Sequence, residues 1–154
     1  MSFPDPAGPV TVRRAADPPD LAGPPEVRFV APGSVTAGRF GLFAYRMAAR
    51  GPGPGPHVHR TFSESFYVTA GELTIFDGER WSAFGPGDFV HVADEGVHGF
   101  RNDTDAETAF LILFAPGIAR ERFFVELAEI RTTGRMLSAR EWTDFYARHD
   151  QVNL

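Results

Sequence analysis

Cysteine and lysine are both missing from this 154-residue chain, and all fifteen of its basic residues are Arg. Without Cys there is no disulfide framework, no thiolate nucleophile and no Cys-ligated zinc. Without Lys there is no Schiff-base catalysis, which needs a deprotonatable amine. Long hydrophobic runs are lacking too. No segment approaches the roughly 18 apolar residues of a membrane-spanning helix. The opening MSFPDPAGPV has neither the basic start nor the apolar stretch of a secretory signal. The expectation is a cytoplasmic protein with no membrane partner. A net charge of −5 without a basic run argues against nucleic acid as the main partner. What remains for difficult chemistry is carboxylates, Arg, Tyr, Ser and five histidines.

The length suits one domain that buries roughly 70% of its unfolded surface, and 43% hydrophobic with 23% charged residues is ordinary globular composition. Three stretches differ in pattern. Residues 1–26 hold seven prolines and almost no periodicity, and are read as an irregular, draped arm. Residues 27–116 read as strand: short apolar and aromatic runs (VRFV, RFGLFAYRM, SFYV, LTIF, DFVHV, FLILF) recur between turn residues. Asp77-Gly78 has the form of a two-residue type I′ hairpin turn, and Pro86-Gly87 suits the centre of a type II turn. Many short antiparallel strands of this kind imply an all-β sandwich, jelly roll or barrel.

Residues 117–154 change period. Ile118, Phe124, Leu127 and Ile130 fall on one helical face. A second helix begins at Ser138, where Ser138 and Glu141 have the spacing of a capping box, with Leu137 and Trp142 placed as a hydrophobic staple. Both helices are expected to pack outside the β core.

The chemistry concentrates in GPGPGPHVHRTFSESFYVTAG, residues 51–71. Alternation along a strand points His57 and His59 the same way and Val58 the other. A turn at Thr61–Ser63 brings Glu64 back beside the two imidazoles, and the strand that Glu64 opens puts Phe66 and Val68 on its face. Two neutral imidazoles, a carboxylate and one more donor suit a divalent first-row metal with exchangeable positions. His98, in VHGFRN, is the candidate fourth donor. His91 is read as a satisfied, non-ligating histidine and His149 as solvent-exposed. Asn102 and Asp88 are read as turn residues.

Gly51, His57, His59, Glu64 and Gly71 fit the first motif of the cupins, G-x5-H-x-H-x4-E-x6-G, without a gap. GDFVHVADEGVHGFRN resembles the second motif at Gly87, His98 and Asn102, with Ala93 where the family usually has Pro and Glu95 where it usually has Gly. The resemblance implies a double-stranded β-helix, the jelly-roll barrel of cupins, with the C-terminal helices packed outside. It also implies that His57, His59, Glu64 and His98 ligate one divalent ion (Mn, Fe, Co, Ni or Zn) inside that barrel. The layout SESFYVTAGELTIFDGERW, PGDFVHV, VHGFRND and FLILFAPG, with the tail ARHDQVNL, is similar to bacterial single-domain proteins related to quercetin dioxygenases.

The expected ligand is an aromatic small molecule, with Phe66, Phe100, Tyr45 and Phe114 lining its pocket and Glu64 doubling as general base. Fifteen phenylalanines in so small a barrel favour such a ligand over a sugar phosphate. The functional expectation is a dioxygenase. The alternatives are a non-oxidative metal cupin, such as a polyketide cyclase or isomerase, and a ligand-binding cupin without catalysis. A homodimer is expected, because an open jelly roll leaves unprotected strand edges.

Overall fold

Alternating aromatic and small or polar residues set the strands. In GLFAYRM and TAFLILFA the buried positions recur with period two, and those side chains form the core: Phe43 and Met47 from one strand, Phe110, Ile112 and Phe114 from the other. The computed structural model describes residues 9–154. The first eight residues of the proline-rich arm lie outside the described residues.

In chain order the elements are β1 (Glu26–Ala31), β2 (Gly41–Met47), β3 (His57–Val58), β4 (Ser63–Ala70), β5 (Leu73–Phe76), β6 (Trp81–Phe84), β7 (Phe89–Val92), β8 (Gly99–Arg101), β9 (Thr108–Ala115), α1 (Arg120–Thr132), α2 (Ala139–Arg148) and β10 (Val152–Asn153). A five-stranded antiparallel sheet runs β1-β2-β9-β4-β7 and a three-stranded one runs β6-β5-β8, while β10 pairs with β3. This is the all-β jelly-roll arrangement expected from the sequence, with both helices outside the strands. Rings fill its interior. Phe43 meets Phe29 at 5.4 Å, Phe114 at 5.6 Å and Phe124 at 5.1 Å between centroids.

Residues 9–25 form no regular element, but they are held to the barrel. Arg13 pairs with Asp20 at 2.9 Å and reaches the Phe29 carbonyl, and Leu21 bridges Val27.

Turn chemistry holds in most places. Gly87 takes φ +94° between Gly85 and Asp88, whose N–H donates to the Gly85 carbonyl, as a type II turn requires. The hairpin is real but closes one residue later than expected: beyond the Phe76–Trp81 pair the Asp77 N–H donates to the Arg80 carbonyl, around Gly78 and Glu79. Gly78 supplies the positive φ of +97°, and the Asp77 carboxylate accepts from the Glu79 and Arg80 N–H groups, which fixes the turn in this register.

Ser138 caps α2 with both bonds of the capping box present. Ile118 precedes α1 and takes no part in it, while Phe124, Leu127 and Ile130 do pack on the core. No helix among the described residues is long and apolar enough to cross a membrane.

Candidate metal centre

The Gly/Pro loop delivers the first two histidines by lying flat on β8. The Phe100 N–H donates to the Pro54 carbonyl, and a Cβ on Gly53 would sit 1.9 Å from the Phe100 oxygen, so only glycine permits this approach. His57 and His98 then face each other as an antiparallel bridge, exchanging both backbone bonds at 2.8 and 3.0 Å. Between the motifs the Glu95 N–H donates to the His59 carbonyl, and Glu95 takes φ +63°, the left-handed conformation that a Gly would adopt freely. The turn before His98 therefore survives the loss of the usual Gly.

His57, His59, Glu64 and His98 come together with one ligand atom of each lying within 4.8 Å of every other, and all four are buried. The Glu64 Oε2 lies 3.0 Å from His59 Nε2 and 2.9 Å from His98 Nε2. Each imidazole is also fixed from behind. His57 Nδ1 meets the Gly55 carbonyl at 2.8 Å, His59 Nδ1 the Asp150 carbonyl at 2.6 Å, and His98 Nδ1 the Gly96 carbonyl at 2.9 Å.

A carbonyl can only accept, so the proton of each neutral ring sits on Nδ1 and the Nε2 lone pairs point inward. His59 and His98 then present lone pairs to a carboxylate oxygen, an arrangement of acceptors that a cation between them satisfies. The donor set fits a metal ion.

Without an ion, a proton on Nε2 can bridge to Glu64 instead, and the electrostatics describe that protonated state. Burial and the neighbouring His98 push His57 down to about 3, so this ring is neutral. Burial opposes ionisation of Glu64, but the hydrogen bonds and charges of His59 and His98 outweigh it and hold the carboxyl well below its usual range. Burial also opposes protonation of His98, and the Glu64 hydrogen bond and charge reverse that, raising it.

Beside the cluster lies a cavity of ≈ 120 Å³ whose walls include Tyr45, His57, Glu64, Phe100, Phe114 and Arg120. Tyr45, Phe100 and Phe114 line this cavity. Phe66 does not. It is fully buried and packs edge-on against Phe100, at 5.3 Å, away from the cavity wall. Sharing the face of Glu64 puts it in the barrel interior, where it packs on His98, Phe100 and Phe110.

His91 lies on the outer side of β7, bonded to Ser65 at 2.8 Å. Asn102 clamps its loop through the Ala48 and Ala106 carbonyls and Thr104, and Asp88 accepts from the Gly85 N–H, so both are turn residues. His149 is not in solvent. Its side chain is 11% exposed, packed on Phe123 and Phe145 and 3.3 Å from Glu126, because α2 turns that face onto α1.

Sequence reasoning missed the contribution of the C-terminal segments. Asp150 orients His59 through its carbonyl, while its carboxylate accepts from the backbone of Arg60 and Thr61 and from the Thr61 hydroxyl. Arg120, Phe123, Phe124 and Leu127 of α1 close the cavity. No spacing signal points to either. A two-residue strand such as β10 has no periodicity, and an Arg at a helix start reads as a surface charge.

This fold and donor set agree with what the chain resembles. Residues 44–114 match the family model Cupin_2, a cupin domain. The match places a cupin domain within residues 44–114, in agreement with the jelly-roll architecture and its structural neighbours. A stretch of 73 residues is 33% identical to the quercetin 2,3-dioxygenase of Bacillus subtilis (strain 168), covering 47% of this chain and 21% of that protein. The chain therefore spans about a fifth of that relative's length.

Among solved structures, a predicted oxalate decarboxylase of Thermotoga maritima superposes with a TM-score of 0.62 at 16% identity, over 70% of this chain and 99% of that one. The polyketide cyclase RemF of Streptomyces resistomycificus superposes at 0.57 with 22% identity, over 69% of this chain and 78% of that one. These likenesses are of fold.

Proposed function

We propose that the protein is a metal-dependent enzyme that holds one divalent ion through His57, His59, Glu64 and His98, and that it acts as a dioxygenase on an aromatic or enolic small molecule. The observation that carries this reading is the convergence of three carbonyl-locked imidazoles and one ionised carboxylate on a single buried point beside a ring-lined cavity. A bound ion would supply Lewis acidity toward an enol or phenol oxygen and a site for dioxygen beside it.

The chain's own groups do the rest. Glu64 turns Oε2 toward the imidazoles, and its other oxygen makes no hydrogen bond to any described residue, so it can accept the substrate proton from within the cavity wall. Tyr45 offers a hydroxyl that burial keeps protonated by raising its pKa. Phe100, Phe114, Phe123 and Phe124 exclude water. The resemblance to a quercetin dioxygenase over 73 residues supports oxygen chemistry over Lewis-acid chemistry alone.

The test is elemental analysis of the untagged protein beside a His57→Ala control, followed by oxygen-electrode assays. Near-stoichiometric metal that disappears in the control, with oxygen consumed on turnover, is the expected result. Full metal occupancy in His57→Ala, or none in the wild type after reconstitution, would overturn the site assignment. Turnover that consumes no oxygen would reassign the protein to the non-oxidative metal cupins.

The same reading takes the protein as a cytoplasmic homodimer. Tyr67 and Phe89, adjacent and exposed on β4 and β7, leave an apolar patch on the outer sheet face. A monomeric mass in light scattering at micromolar concentration would count against the dimer.

A further inference from the structure

Arg120 is a buried cation with no anion in direct contact. It is 4% exposed and lines the cavity beside Glu64 and His57, yet it makes no ion pair with any described residue. Its Nη1 donates to the His149 carbonyl at 3.0 Å and its Nη2 to the Gln151 amide oxygen at 2.9 Å. Its Nε is buried and has no hydrogen-bond partner among the described residues. The guanidinium otherwise lies on ring faces, 3.8 Å from the centre of Phe123 and 5.4 Å from that of Phe114.

Five N–H groups in a planar fork, two of them used, leave a donor set shaped for a carboxylate. A buried charge is normally paired, because desolvating it alone costs several kcal/mol. Rings and neutral oxygens touch this one, while the Glu64 and Asp150 carboxylates act on it only from beyond ion-pair distance. Burial pushes its pKa down to about 10, which keeps it charged at neutral pH.

The rest of the cavity points the same way. Arg131 stands at its rim, also without an ion pair among the described residues, and Glu64 is the single acid in the wall. An ion in the cluster would more than cancel the charge of Glu64. The Tyr45 hydroxyl, a second donor in the wall, has no hydrogen-bond partner among the described residues. Size adds a limit. A cavity of about 150 Å³ holds benzene, and at ≈ 120 Å³ this one is of the same order, so it admits nothing beyond a single small ring.

We propose that Arg120 is the anion-recognising residue of this cavity. The substrate is a small acid, no larger than one ring bearing a carboxylate, which meets Arg120 while its enol or phenol oxygen faces the His/Glu cluster. The position of that oxygen rests on the metal-enzyme reading above. Anion recognition by Arg120 does not.

The experiment is calorimetric titration of the full-length protein, zinc-loaded and metal-free, with benzoate and with its neutral isostere benzamide. Benzoate is expected to bind at least tenfold more tightly than benzamide in both forms. Arg120→Gln should weaken benzoate by about 10- to 100-fold, as loss of a charge-assisted hydrogen bond predicts. Benzamide should stay within twofold and Arg120→Lys should fall between.

Benzoate affinity unchanged in an Arg120→Gln protein of wild-type Tm would make Arg120 a purely structural tie between α1 and the tail, overturning the proposal. So would benzoate binding that vanishes with the metal and ignores Arg120. If Arg120→Gln does not fold, the wild-type benzoate-to-benzamide ratio in the metal-free form decides, and a ratio near one refutes the proposal. Quercetin displacing benzoate at comparable affinity would refute the size limit. Metal content measured on the same samples separates the two readings. An empty cluster with Arg120-dependent benzoate binding sinks the metal enzyme alone, and a full cluster with Arg120-independent binding sinks this inference alone.

Discussion

His149 shows how one side chain ties pH to stability at a distance from the metal centre. Burial lowers its pKa, so the folded state prefers the neutral ring. Burial opposes ionisation of its neighbour Glu126, but Arg148 and His149 outweigh that and lower its pKa as well. Both shifts have the same sign. The unfolded chain binds more protons than the folded one below the ordinary His pKa, and again below the ordinary Glu pKa, so stability is complete at neutral pH and lost as pH falls. The melting temperature should therefore decline from pH 7 toward 4, and His149→Gln should flatten the part between pH 7 and 5. A His149→Gln profile parallel to wild type in calorimetry would show that the ring does not carry this dependence. At this scale the four cluster residues were legible, because strand alternation and motif spacing fix which way they point. Arg120 and His149 were not, since their burial depends on where α1 and α2 dock, and helical periodicity does not encode docking.

The elements were legible in proportion to their length. The eight-residue strands β4 and β9 and the capped helix α2 announce themselves through alternation and the Ser138–Glu141 box. The two-residue strands β3 and β10 do not, yet their pairing returns the tail to the strand that carries His57. That pairing carries a prediction. Removing residues 150–154 deletes the carbonyl that fixes His59 and the amide that holds Arg120. Loss of a group that orients a ligating imidazole typically costs 10- to 100-fold in metal affinity. Chelator competition should show about that loss in the truncated protein, while far-ultraviolet circular dichroism keeps its strand signal. Unchanged affinity would mean that the remaining packing alone orients His59.

Across the whole molecule, one cluster of rings joins the sheet, α1 and the cavity wall. Phe43 sits at its centre, fully buried against Phe29, Phe114 and Phe124. Phe43→Ala should cost about 3–5 kcal/mol and lower Tm by roughly 6–20 °C in a domain of this size. A loss below about 1 kcal/mol in denaturant titration would show that the barrel collapses onto the gap. Composition and turn signals made the all-β class readable, but strand order was not, because neighbours such as β2 and β9 are joined by side-chain fit across some sixty residues rather than by any local signal.

The link between His59 and the Asp150 carbonyl spans 91 positions. During synthesis, the histidines and Glu64 leave the ribosome well before their last brace does. While Asp150 is still in the exit tunnel, His59 lacks the carbonyl that fixes its tautomer. An ion would therefore meet the complete, braced donor set only after the tail has emerged.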